Sequence, residues 1–268
     1  MNSIKTAKQR LAERVEELSH TAKKSLGQNF LISDHVIQKI IEAAKLTKQN
    51  SIIEVGPGLG ALTDFLILNH PEYVAIEMDR TLAKYWTDQG LKIVEGDALQ
   101  IDWVNFKAKL FVSNLPYQIS SSIVIERSIK PFEIETMILM FQKEVAQRLR
   151  AKEQTDHYGM LTVMAQEFWT IDTVCDAGPK DFDPPPKIAS RVLRFQKKES
   201  QVIDRSGYLQ FIKMCFQQRR RILKSNLPNA MSDKLMKWLE IQKLSAKVRV
   251  EELSPAKITE LYFYLQKD

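Results

Sequence analysis

The 268-residue chain has only two cysteines, Cys175 and Cys215, and four scattered histidines. Neither set has the pair spacing of a structural zinc site, and two isolated thiols make no disulfide framework. No metal centre is expected, and a reducing, cytoplasmic setting follows from the same scarcity. No apolar run approaches the length of a membrane span, and charges recur through residues 1–20, so neither a transmembrane helix nor a secretory leader is expected. Internal repeats and low-complexity tracts are missing too. Glycine is sparse, nine in all, yet Gly56, Gly58 and Gly60 fall within five positions.

Those three glycines close the stretch Ile52-Ile53-Glu54-Val55-Gly56-Pro57-Gly58-Leu59-Gly60, after which Ala61 to Leu68 resumes with helical spacing. A buried strand, a tight turn and a helix follow from this pattern. Glycine lets the backbone approach a ligand closely, and the helix N-terminus beyond offers unpaired N–H groups. The spacing Glu-x-Gly-x-Gly-x-Gly differs from the Gly-x-Gly-x-x-Gly of dinucleotide folds. About twenty residues on, Tyr73-Val74-Ala75-Ile76-Glu77 reads as a second strand ending in a carboxylate, placed to accept from ribose hydroxyls. A third strand, Leu91 to Glu95, leads to Asp97, suited to an adenine amine. The series fits an adenosine-bearing ligand without a pyrophosphate, and S-adenosylmethionine best of all.

Alternation continues. Strands are expected at 51–55, 73–77, 91–94, 110–113, 136–141, 168–175 and 191–196, with helices near 33–44, 59–69, 80–89, 119–129 and 143–150. Apolar strands alternating with helices predict an α/β, Rossmann-like, parallel doubly wound sheet with its ligand beyond the strand carboxyl ends. Residues 1–22 read as a polar extension without assigned function, 23–200 as the sheet domain, and 201–268 as a small all-helical domain with helices at 208–221, 234–244 and 255–265. Charge divides likewise. Residues 1–190 hold 22 Lys/Arg against 25 Asp/Glu, whereas residues 191–268 hold 17 against 8. A basic helical tail points to a polyanionic partner. Arg219, Arg220, Arg221 and Lys224 concentrate that charge in six positions, and guanidinium forks suit phosphate.

The fourth strand ends in Asn114-Leu115-Pro116-Tyr117. Proline extends Leu115 and cannot donate its own nitrogen, so the turn can face the Asn114 side chain and the Leu115 carbonyl toward the cofactor's methyl. Two acceptors suit an exocyclic adenine amine, whose lone pair they free by drawing the nitrogen toward a tetrahedral form. Positioning then replaces a strong base. Tyr117 offers a face for an extruded base, and Phe182, in the stiff Phe182-Asp183-Pro184-Pro185-Pro186-Lys187 loop, is expected opposite it.

Taken in order, Lys24-Ser25-Leu26-Gly27-Gln28-Asn29-Phe30-Leu31, the glycine turn, Ile76-Glu77-Met78-Asp79, Gly96-Asp97-Ala98-Leu99, Asn114 to Tyr117, the Phe182 to Ser190 loop and Arg219 to Arg221 resemble the KsgA-type ribosomal RNA adenine dimethyltransferases over about residues 22–265. The resemblance implies transfer of methyl groups from S-adenosylmethionine to N6 of two adjacent adenines near the 3′ end of 16S rRNA, alongside a role in late small-subunit assembly. Asn29, Leu31, Gly56, Glu77, Asp97 and Asn114 would bind cofactor. Asn114, Leu115 and Tyr117 would hold the amine, with Phe182 facing them. Arg219, Arg220, Arg221 and Lys224 would dock on rRNA, and a monomer is expected. Gln118, Arg221 and Ile188-Ala189 depart from common family choices, none at a methyl-transfer contact. An Erm-type 23S rRNA methyltransferase shares the glycine and Asn-x-Pro-aromatic stretches but not the arginine-rich segment. DNA and protein-glutamine methyltransferases place proline directly after the Asn or Asp. A noncatalytic RNA-binding or transcription factor would have no use for the acidic cofactor series.

Overall fold

The structure is a computed structural model that describes residues 5–23, 26–47, 51–68 and 72–266. Lys24 and Ser25, the first residues of the Lys24 to Leu31 motif, lie outside the described residues. The chain begins α1 (Ala7–Leu18), β1 (Phe30–Leu31), α2 (Asp34–Ala44), β2 (Ile52–Val55), α3 (Thr63–Leu66) and β3 (Tyr73–Glu77). It continues α4 (Arg80–Asp88), β4 (Lys92–Glu95), β5 (Leu110–Ser113), α5 (Tyr117–Ile129), β6 (Thr136–Gln142) and α6 (Lys143–Leu149). Then come α7 (Met160–Phe168), β7 (Trp169–Ala177), β8 (Phe182–Asp183), β9 (Ser190–Lys197), α8 (Arg205–Cys215), α9 (Ser232–Ile241) and α10 (Pro255–Gln266).

Seven strands form one sheet in the order β4-β3-β2-β5-β6-β9-β7, and β1 pairs with β8 in a separate ladder. The pairs from β4 across to β6 are parallel. β9 runs antiparallel to β6, from Thr136↔Gln196 to Gln142↔Ser190. The wholly parallel sheet expected from the sequence is thus a mixed one: β9 starts opposite the carboxyl end of β6 and can only run back along it. Every residue of β2, β3 and β5 is buried, whereas edge strand β4 is partly exposed. Helices cover both faces of such a strand, which makes it read as an unbroken apolar run. Val36, Ile37 and Ile40 of α2 pack with Ile52, Val112, Ile138 and Met140 in one core. β2 has β3 on one side and β5 on the other. The chain reverses its winding there, which opens a crevice at the carboxyl ends.

Two compact units are present, residues 1–126 with 131–146 and 171–197, and residues 127–130 with 147–170 and 198–268. The second includes α7, a helix not expected from the sequence, which packs on α8 and α10. Its aromatic core is tied by polar tips. Tyr158 Oη donates to the Leu253 carbonyl at 2.7 Å, Tyr208 Oη pairs with Thr259 Oγ1 at 2.7 Å, and Thr259 Oγ1 donates to Glu167 at 2.7 Å. These bonds and the edge-on Phe168–Tyr208 contact at 6.1 Å hold residues 147–170 with the tail, although the sequence placed them in the sheet domain. The basic helix expected over 208–221 stops at Cys215, and residues 216–220 are turns.

Candidate active site

Past β2 the backbone takes left-handed values at Gly56 (φ 67°), Gly58 (55°) and Gly60 (84°). The Gly56 N–H donates to the Ile76 carbonyl at 2.8 Å, which stitches the turn to β3. A Cβ on Gly56 would stand 3.7 Å from Pro116 Cδ. The bare Cα therefore keeps open the gap between the glycine turn and the Asn114–Tyr117 turn.

Glu77, last in β3, is buried. Its Oε2 accepts from the Gly58 N–H at 3.1 Å and its Oε1 from the Asp79 N–H at 2.8 Å. Burial raises its pKa, opposed by those backbone donors. Each oxygen has a further lone pair for a ligand hydroxyl. Asp97 follows β4, with Oδ1 accepting from the Leu99 N–H at 2.9 Å. Asn114 follows β5. Its Nδ2 donates to the Asn29 carbonyl at 3.2 Å, and its Oδ1 is an acceptor. Tyr117 opens α5, and its hydroxyl pairs with the buried Ser190 Oγ at 2.7 Å. Burial raises the phenol pKa, against the Ser190 bond, so the ring stays neutral.

Asn29, Leu31, Gly56, Glu77, Asp97, Asn114, Leu115 and Tyr117 all line one cavity of about 290 Å³ in the first unit. Phe182 does not line it. Its ring, 2 % exposed, sits in the core with Leu31, its partner across the β1–β8 ladder. The expected second stacking ring is corrected to a core residue, because that pairing turns it inward. Phe30 stands on the wall instead, its ring 3.2 Å from where a Gly58 Cβ would be. The sequence also gave no role to Ala7, Arg10, Leu11 and Arg14, which line the same cavity. Their one readable signal is helical spacing behind a Thr6–Gln9 capping box.

Beneath the turn lies Glu54, inside β2 and 2 % exposed. Its Oε2 accepts from Thr63 Oγ1 at 2.9 Å and Tyr73 Oη at 2.5 Å. Burial pushes its pKa from 4.5 to about 7, against those two hydroxyls. A carboxyl whose folded pKa is raised gives stability that is full below its unfolded pKa and is lost as pH rises through the folded one. The wild-type chain should therefore lose on the order of 3 kcal/mol from this group between pH ~4.5 and ~7. Glu54→Gln should flatten that part of the profile, as urea denaturation of both proteins across the window will show. Parallel profiles would mean that Glu54 is not the group responsible.

In the second unit, Arg219 is already committed. Its Nε donates to Glu251 at 2.8 Å, and its Nη1 to the carbonyls of Asp156 and Tyr158 at 2.9 and 3.1 Å. The expected phosphate contact is corrected to an internal brace, since the guanidinium fork is spent on acceptors of its own unit. Arg220, Arg221 and Lys224 are exposed. Their turn is fastened from beneath by buried Asn226, whose Nδ2 donates to the carbonyls of Cys215 at 2.8 Å and Gln218 at 3.2 Å.

The profile of the ribosomal RNA adenine dimethylase family matches residues 19–267. The chain belongs to this family. The dimethylase is 50% identical over 266 residues to "Ribosomal RNA small subunit methyltransferase A" of Bdellovibrio bacteriovorus, covering 96% of this chain and 97% of that one. It is 36% identical to the protein of the same name from Maridesulfovibrio salexigens, covering 93% and 97%. A dimethyladenosine transferase from Plasmodium falciparum superposes with a TM-score of 0.73 at 25% identity, over 87% of the dimethylase and 96% of that chain. The 23S rRNA methyltransferase ErmE superposes at 0.66 and 25%, over 89% and 100%. The dimethylase is an S-adenosylmethionine-dependent rRNA adenine methyltransferase. Among the described residues no cluster of His, Cys, Asp and Glu could hold a metal ion, and no helix is long and apolar enough to cross a membrane.

The cavity fits the cofactor on its own terms. Glu77 and Asp97 place acceptors at the ends of β3 and β4, where a nucleoside can donate. Carboxylates there would repel a pyrophosphate but tolerate a sulfonium.

Proposed function

We propose that this dimethylase transfers methyl groups to N6 of two adjacent adenines near the 3′ end of 16S rRNA, inside an immature small subunit whose late assembly it accompanies. The observation that carries this reading is the meeting of the Asn114–Tyr117 turn with Gly56, Glu77 and Asp97 in one cavity. The 50% identity to a small-subunit enzyme, against 25% to ErmE, favours 16S over 23S rRNA.

S-adenosylmethionine, when bound, supplies an electrophilic methyl group on a sulfonium. The chain's own residues do the rest. Before the first transfer Asn114 Oδ1 and the Leu115 carbonyl accept the two amine N–H bonds. Before the second, one of them accepts the single N–H that remains, and each time the nitrogen lone pair is turned toward the methyl. Tyr117 carries the base on its ring face, fixed by the bond to Ser190. No strong base is needed, because the proton can leave after attack, and alignment supplies the acceleration. Glu77, Asp97 and the Gly56 backbone would hold the cofactor, with Asn29 and Leu31 lining the same cavity. Exposed Arg220, Arg221 and Lys224 contact rRNA phosphates, and the chain works as a monomer.

The test is mass spectrometry of 16S rRNA from cells lacking the protein, with purified enzyme and labelled cofactor offered to each subunit precursor. Loss of two neighbouring dimethyladenines and labelling of the small-subunit precursor are expected. Label confined to large-subunit RNA would replace this reading with the Erm-type one.

A further inference from the structure

α1 lies wholly before residue 19, where the family match begins, and the sequence assigns it no task. It starts cleanly. Thr6 Oγ1 accepts from the Gln9 N–H while the Gln9 side chain accepts from the Thr6 N–H, a reciprocal cap. From there helical spacing puts Ala7, Arg10, Leu11 and Arg14 on one face. Ala7 and Leu11 are buried. Leu11 packs with Leu59 of the glycine turn and Leu82 of α4, and the Ala7 N–H donates to Asp34 at 2.9 Å.

Arg14 makes the decisive contacts. Its Nη1 donates to the Leu59 carbonyl at 2.8 Å and to Asp64 Oδ2 at 2.9 Å, and its Nη2 to Asp64 Oδ1 at 2.6 Å. The guanidinium lies 5.0 Å from the Trp86 ring centroid, while Trp86 Nε1 donates to the Gly58 carbonyl at 2.8 Å. Two successive carbonyls of the glycine turn are thus gripped from outside, one by Trp86 and one by α1. Arg10 adds a second cation on Asp64, Nε to Oδ2 at 3.0 Å, and lies over Phe65. Both guanidinium groups and Asp64 are only 18–19 % exposed, so solvent screens the pairs weakly. Gly60 makes room for this grip: a Cβ there would meet Arg14 Nη1 at 2.4 Å and Trp86 Cζ2 at 2.6 Å. The same helix face lines the cavity that holds Gly56 and Glu77.

We propose that α1 is a wall of the cofactor site and that Arg14 is a positioning residue, which holds the glycine turn in its ligand-binding shape through the Leu59 carbonyl and Asp64. The inference rests on the reading of this cavity as the S-adenosylmethionine site. A preorganised turn binds more tightly because less ordering remains to be done on binding. Releasing Arg14 should therefore weaken cofactor affinity without touching the groups that contact the target amine.

The experiment compares full-length wild type with Arg14→Met, which keeps the stem and loses the fork, and Arg14→Lys, which keeps charge and one donor. Calorimetry with S-adenosylhomocysteine should give a Kd about tenfold higher for Arg14→Met and an intermediate value for Arg14→Lys. KM for S-adenosylmethionine should rise in step while kcat stays within about twofold. A folded Arg14→Met that binds cofactor as wild type does would overturn the proposal. Hydrogen exchange on wild type tests it without any substitution: saturating cofactor should slow exchange of the α1 amides, and unchanged exchange there would also overturn it. Wild type that binds no cofactor would instead remove the assignment of the cavity itself.

Discussion

Asn114→Ala should lower kcat for methyl transfer by about 10²–10³, the usual cost of deleting one preorganised polar group at a reacting centre, and leave rRNA affinity nearly unchanged. The side chain has two separable jobs. Its nitrogen is spent on the Asn29 carbonyl at 3.2 Å, which fixes the orientation of its oxygen, and in the proposed reaction that oxygen would accept from the amine. Alanine removes both. Asn114→Asp keeps an acceptor but sets a carboxylate against the Asn29 carbonyl, so the oriented amide is lost and activity should fall as well. Single-turnover transfer of labelled methyl, with filter binding of the same RNA, separates chemistry from docking. Because Asn114 also lines the cofactor cavity, the rates must be compared at saturating cofactor. An Asn114→Ala enzyme that keeps wild-type single-turnover rates there would remove the amine-holding role from this turn.

The parts of this site that the sequence discloses share one property: local chemistry at the end of a buried strand. β2, β3 and β5 have no exposed residue, so each reads as an apolar run whose end is marked by glycine, a carboxylate or Asn-x-Pro. Glu77, Asp97 and Asn114 are found because strand ends converge in such sheets. The failures are failures of long-range information. Leu31 and Phe182 face each other across a two-residue ladder, too short for any periodicity, and that pairing, not the loop's composition, buries the Phe182 ring. Arg219 looks like its neighbours in sequence, but Glu251 and the Asp156 and Tyr158 carbonyls claim it from 32, 63 and 61 positions away. Arg14 meets Asp64 over 50 positions, so a helix with charges on its buried face reads as a polar extension. α7 is missed for another reason. Met160 to Phe168 mixes apolar and small polar residues with little contrast between faces, and five of its nine are buried, so no stripe marks it.

The second large effect belongs to the exposed cations. With Arg219 set aside, the variant to make is Arg220→Ala/Arg221→Ala/Lys224→Ala. Each phosphate contact removed should lower the slope of log K against log salt by about one, so the triple variant should show a slope shallower by roughly two to three and an affinity about tenfold or more weaker at low salt. The single Arg219→Ala variant should do the opposite. It takes the 2.8 Å cation from the Glu251 carboxylate, 17 % exposed, leaves it only the 4.0 Å pair with Arg249, and strips a donor from two carbonyls, so it should lower the melting temperature while the salt slope holds. The contrast matters because a general loss of fold would weaken RNA binding at every salt concentration without changing the slope. Counterion release depends on how many phosphates are neutralised, not on how much protein is folded. If the triple variant keeps the wild-type slope, these three side chains do not touch the RNA backbone, and the docking face lies elsewhere among the excess cations of residues 191–268.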